Sequence, residues 1–209
     1  MAERNGLPVA TIAEVRVLDP YSRQRKRLCP MLRRLLIPMV VAALVGAIAT
    51  PAYAACRRPG LGQVRHATAR YHNVAVAEQA GYGRFVDVHG VACIDMPGMG
   101  AMGIHYVNGS LVGDGEIDAL IPEAVVYEPD AAGRLHLVAV EYVVTQQAWD
   151  AHYRHPPTLF GHRFDFTASP NRYGLPPFYS LHAWVWKHNP AGTFAMWNPR
   201  VSCVAEDAT

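Results

Sequence analysis

The hydrophobic and polar positions fall into two regimes. Between residues 64 and 81 the pattern is helical: Asn73 offers a side-chain cap, VAVAEQA over 74–80 is alanine-rich, and Gly81 stands where a helix stops. One short helix is predicted, with an earlier start near Val64 left open. Beyond Gly81 the period shortens to two. Residues 102–107 alternate, with Met102, Ile104 and Tyr106 on one face and His105 and Val107 on the other. EAVVYE (123–128) follows Pro122, and the turn over 129–133 leads into LHLVAVEYVV (135–144), so the two runs read as an antiparallel hairpin. QQAWDAHY (146–153) has helical propensity and is ended by His155-Pro-Pro157. Residues 158–177 read as irregular, YSLHAWVWK (179–187) as an aromatic strand, and residues 189–199 hold two Asn-Pro turns. The expected fold class is α+β, mainly antiparallel β, as a sheet or a small barrel with one or two short helices.

The first quarter of the chain follows neither pattern. After Met31 come Arg33 and Arg34, the uncharged run LLIPMVVAALVGAI (35–48), and an Ala52-Tyr53-Ala54 end. A basic start, an apolar core and small residues at the cut describe a signal peptide over 31–54. Residues 1–30 are then a long n-region or the product of a start placed too early. Residues 55–63 form a lead-in, and 64–209 a single globular domain.

Charge changes meaning once residues 1–54 are set aside. They hold eight of the 19 Lys and Arg but three of the 17 acids, so the remainder carries 11 basic and 14 acidic residues, a net charge of −3. Lys187 is the one lysine beyond residue 54, and no basic run survives there. The pattern argues against nucleic acid as a partner, and against a membrane except through the signal peptide or a lipid on Cys56.

Of the four cysteines, Cys29 lies in the leader. In an oxidising compartment the remaining three leave one over. Cys56 follows a small residue, which suits lipoprotein-type acylation, and Cys93 then pairs with Cys203. That bond ties the C-terminus to the segment before the methionine stretch.

All ten histidines lie beyond residue 54. Glu141 shares its predicted strand face with four apolar residues, where a carboxylate is costly without a cation, a metal or good donors. His182 shares its face with Ser180, Trp184 and Trp186. His105, Glu141 and His182 each come from a different strand, and two histidines with one carboxylate is a donor set for iron, zinc or manganese. His152, His155 and His162 form a looser set in a loop-rich region. Met96, Met99 and Met102 lie at intervals of three among Gly98, Gly100 and Gly103, and thioethers suit Cu(I). The glycines place these methionines mainly in a turn, and alternation sets Met102 on the face away from His105. No H-E-x-x-H, G-x-S-x-G or phosphate-binding glycine motif occurs, so no nucleotide cofactor is expected.

The blocks MGIHYVN, PEAVVYEP, LVAVEY and HAWVWKHNPAGTFAMWNPRVSC resemble a family of exported bacterial proteins of undescribed function, over about residues 64–203. The resemblance implies export and a single domain, and carries no catalytic assignment.

Three functions follow as expectations. The first is an exported protein binding a small molecule in an aromatic, histidine-lined pocket of Tyr106, His182, Trp184 and Trp186. The second is a metal-dependent exported enzyme of hydrolase or oxygenase type, with a divalent ion on His105, Glu141 and His182. The third is Cu(I) handling by the methionines.

Overall fold

A computed structural model of the protein describes residues 59–203; the predicted signal segment 31–54, Cys29 and Cys56 lie outside the described residues. The helical stretch begins earlier than the pattern predicts. Helix α1 (Leu61–Thr68) starts inside the expected lead-in, because the Gln63 side chain accepts a bond from the Gly60 N–H (2.8 Å) and Val64 and Thr68 bury one face. A 3₁₀ turn (Ala69–His72) follows. Asn73 then leaves helical geometry and caps α2 (Val74–Gln79), its Oδ1 accepting from the Ala75 N–H at 3.1 Å. Gly81, at φ +92°, ends the helical region.

The strands follow in chain order as β1 (Gly83–Arg84), β2 (Cys93–Met96) and β3 (Gly100–Val107), then, after helix α3 (Gly109–Val112), β4 (Ala124–Pro129) and β5 (Leu135–Thr145). Helix α4 (Gln146–Asp150) separates these from β6 (Thr158–Leu159), β7 (His162–Arg163), β8 (Asp165–Thr167) and β9 (Phe178–Ala183). Seven of the strands form one antiparallel sheet in the order β1-β3-β4-β5-β9-β8, with β2 also on β3. The sheet is open, so of the two expected forms it is the sheet and not the barrel. The fold class is the expected mainly antiparallel α+β, with the predicted β4–β5 hairpin in place. Residues 158–177 are more ordered than expected: β6 and β7 pair with each other, and β8 joins the main sheet beside β9.

The two faces of the sheet have different fates. Tyr106, Val125, Val140 and Leu181 are buried in a core that also takes in Val64, Tyr71 and Ala77 from the helical region. The Tyr127 hydroxyl donates to the Tyr71 carbonyl (2.6 Å), satisfying a polar tip inside this core. The opposite face carries the candidate site.

Two glycines of β3 are needed for close packing. A Cβ on Gly103 would stand 2.6 Å from the Tyr127 carbonyl oxygen, and one on Gly100 would stand 2.1 Å from that of Asn198. Gly100 therefore lets the C-terminal segment dock, where Ala101 and Asn198 exchange backbone bonds. The Cys93–Cys203 disulfide, with Cα atoms 5.6 Å apart, secures the same segment to β2.

Candidate metal centre

Three strands deliver the site. His105 sits on β3, Glu141 on β5 and His182 on β9, and the β5–β9 register sets Glu141 directly opposite His182. Directly opposed residues of an antiparallel pair share a face, so those two meet without further help. His105 is a harder case, because β4 lies between β3 and β5 and neighbouring strands are about 4.8 Å apart. The β4 residue opposite Glu141 is Ala124, and the one opposite His105 is Val126. These short side chains leave room above β4, across which the imidazole and the carboxylate lean together. His105 Nε2 lies 3.1 Å from Glu141 Oε2, and His182 Nδ1 lies 4.0 Å from Glu141 Oε1.

The three donor atoms fall within 4.8 Å of one another, and among the described residues no other group of three or more His, Cys, Asp or Glu side chains does so. Donors 2.0–2.2 Å from one tetrahedral ion lie about 3.4 Å apart. The set is thus open by up to about 1.4 Å at its longest separation, a distance that side-chain rotations close.

His182 is the anomaly. The residue is 4% exposed, and neither ring nitrogen meets a hydrogen-bond partner among the described residues. A neutral imidazole always carries one N–H and one lone pair, and leaving such groups unmet in a buried site costs about 1–3 kcal/mol. The ring is held between others, stacked on Trp184 at 4.8 Å and edge-on to His105 at 5.5 Å between centroids.

The electrostatics favour the ligating forms. Burial alone would push the Glu141 carboxyl up, but the His105 hydrogen bond, the charges of His105 and His182 and the Ser180 hydroxyl outweigh it and hold it at about 2. Burial holds His182 at about 4 against the pull of Glu141. At neutral pH the site therefore presents an anionic carboxylate and a neutral buried imidazole, the protonation states a metal requires.

Glu141 and His105 open on a cavity of about 460 Å³. Met102, Val143 and Ser180 also line it, as do Arg84, Val112 and the contiguous rings of Phe85, Tyr173 and Phe178. The Tyr173 flank is fixed by Asp87, whose buried carboxylate accepts from Arg172 Nε (3.1 Å) and Nη2 (2.7 Å). Burial and the nearby Glu141 charge push the Tyr173 phenol up, so it keeps its proton.

Several expectations need correction. Met102 does not point away from His105. It is the extra residue of a bulge in β3, where Ile94 pairs with Gly103 but Asp95 pairs with Ala101, and the shift brings Met102 to the cavity that His105 also lines. Met96 and Met99 are exposed at the β2–β3 turn, so the three thioethers form no common row. The aromatic pocket also comes apart. Tyr106 packs edge-on to Tyr127 at 5.1 Å in the core, and β9 ends at Ala183, releasing the chain from alternation. Trp186 consequently meets His72 edge-on and lies under the Arg65 guanidinium, and Trp184 backs His182; neither they nor Tyr106 line this cavity. His152, His155 and His162 converge on no common point, His162 lying against Phe194 at 4.0 Å.

Phe85, Tyr173, Leu175, Phe178 and Met196 line the cavity and were not found by sequence reasoning. They come from three separate stretches of chain, and only Phe178, next to the predicted strand, carried a usable signal. Ser180 was legible, since alternation already placed it with His182. Comparison of the chain with family models, with curated proteins and with solved structures finds no match, so the site itself carries the functional argument.

Proposed function

We propose that the protein is a metal-dependent enzyme of the hydrolase or oxygenase type, holding one divalent ion on His105, Glu141 and His182 and admitting a small substrate through the adjoining cavity. The buried imidazole of His182, which has no hydrogen-bond partner among the described residues, carries this reading. An evolved core rarely leaves both nitrogens of a histidine unmet, and a metal satisfies the lone pair while Glu141 balances the charge. An ion held by three protein ligands keeps coordination positions for substrate and supplies Lewis-acid chemistry at neutral pH. Ser180 positions the Glu141 carboxylate, Trp184 holds the His182 ring, and the apolar flanks exclude water from the reacting end. Export is supported by the Cys93–Cys203 disulfide, which persists in oxidising compartments.

A second reading, a non-catalytic binding pocket, is favoured by the predominance of apolar side chains in the lining. Metal content separates the two. Purified full chain is loaded in turn with Zn(II), Fe(II), Mn(II) and Cu(I), dialysed, and assayed by mass spectrometry of the metal. About one equivalent of a divalent ion is expected, falling below about a tenth in Glu141→Gln and in His182→Ala. Wild-type protein that retains none of the ions overturns the metal reading and leaves the binding pocket standing.

A further inference from the structure

The lining of the cavity is mostly apolar: Phe85, Val112, Leu175 and Phe178 share it with the polar side chains of His105, Glu141 and Ser180, and with Arg84, Thr167 and Tyr173. A ligand that filled this space would coordinate at one end and shed water along the rest of its length. The volume of about 460 Å³ is that of a drug-sized site, much larger than a metal-bound water requires. Phe85, Tyr173 and Phe178 form one aromatic cluster along the lining, with ring centroids 6.3 Å apart for Phe85 and Tyr173 and 5.8 Å for Tyr173 and Phe178, so a ligand ring finds aromatic partners there. The Asp87–Arg172 pair, with the Val88 N–H donating to the Arg172 carbonyl at 3.0 Å, locks the Tyr173 flank onto the turn that follows Phe85. This holds that wall of the cavity in place.

We infer that the site takes a ligand with a single metal-coordinating head, an oxygen-donor group of carboxylate, hydroxamate or phenolate type, on an apolar, ring-bearing body. The inference rests on the metal reading above. A short polar metabolite with the same head is a poor ligand, because it leaves the apolar flanks wet.

The test holds the head constant and changes the body. Full chain loaded with Co(II), whose visible spectrum reports the ion's coordination, is titrated with benzohydroxamate and with acetohydroxamate. The phenyl compound is expected to bind at least about tenfold more tightly, since its ring buries more apolar area than a methyl group. Val112→Trp and Met196→Phe, which fill the cavity away from the three ligands, are expected to reduce that preference to less than about threefold while Co(II) remains bound. If Co(II) binds and the two hydroxamates bind wild-type protein equally, the ligand class is wrong and the metal reading stands. Failure to bind Co(II) defeats the metal reading and this inference with it. The wild-type comparison alone decides the matter, so a variant that fails to fold does not obscure it.

Discussion

Replacing His182 with Phe should make the metal-free protein more stable, which is the reverse of the usual effect of altering a buried polar residue. The imidazole is buried, its two nitrogens make no hydrogen bond among the described residues, and its ring lies in aromatic contact with Trp184 and His105. Phe keeps a flat ring in that slot and removes the unmet donor and acceptor. An unsatisfied buried group costs about 1–3 kcal/mol, and the slightly larger Phe ring returns part of this through overpacking, so a net gain of about 1 kcal/mol is expected. His182 is neutral at pH 7, because burial holds it at about 4, so no ion pair with Glu141 is lost. In urea, with a slope of about 1–2 kcal/mol per molar, the midpoint should rise by roughly 0.5–1 M in the presence of a chelator. Addition of the preferred metal at about 100 times its dissociation constant should stabilise wild type by about 2.7 kcal/mol and leave His182→Phe unmoved, reversing the order of the two proteins. A midpoint for the variant below that of wild type in chelator would refute the reasoning, since it would mean that His182 already has a stabilising partner. Equal stabilisation of both proteins by metal would remove His182 from the ligand set.

Other consequences lie away from the ligands. Burial pushes the Glu123 carboxyl up to about 9 although it accepts a bond from the Val143 N–H, so the folded state holds a proton that the unfolded chain releases near pH 4.5. Its contribution is fully present below about pH 4.5 and is lost as pH rises toward 9. The stability of Glu123→Gln, followed by urea unfolding from pH 5 to 9, should therefore fall less with pH than that of wild type, and parallel slopes would contradict the assignment. Cys203→Ser opens a loop of sequence separation 110 and should cost roughly 4–5 kcal/mol in the chain-entropy account; a loss below about 1 kcal/mol would show that the C-terminal docking, not the covalent bond, carries the restraint. Gly103→Ala combines φ +99° with a Cβ 2.6 Å from the Tyr127 carbonyl and should destabilise by about 3 kcal/mol or more; an unchanged thermal midpoint would show that β3 and β4 shift apart freely.

What could be read along the chain was what depends on near neighbours. Asn73 as a helix cap, the β4–β5 hairpin around the turn at 129–133, and the membership of His105, Glu141 and His182 in strands all follow from local pattern, because capping and alternation act within a few residues. The Cys93–Cys203 bond followed from arithmetic. Tertiary structure decided the rest. Whether His105 could reach Glu141 depended on the small side chains of an intervening strand, and whether His182 faced Glu141 depended on register, neither of which periodicity encodes. Met102 changed sides because one extra residue in β3 resets alternation, and Trp184 and Trp186 left the predicted face because β9 ends at Ala183. The apolar flanks of the cavity were beyond reach for a related reason: Phe85, Tyr173, Leu175 and Met196 share a space only once the sheet and its loops have closed around it. The sequence thus determined which side chains could act as metal donors, and the packing of the sheet determined which of them meet and what they face.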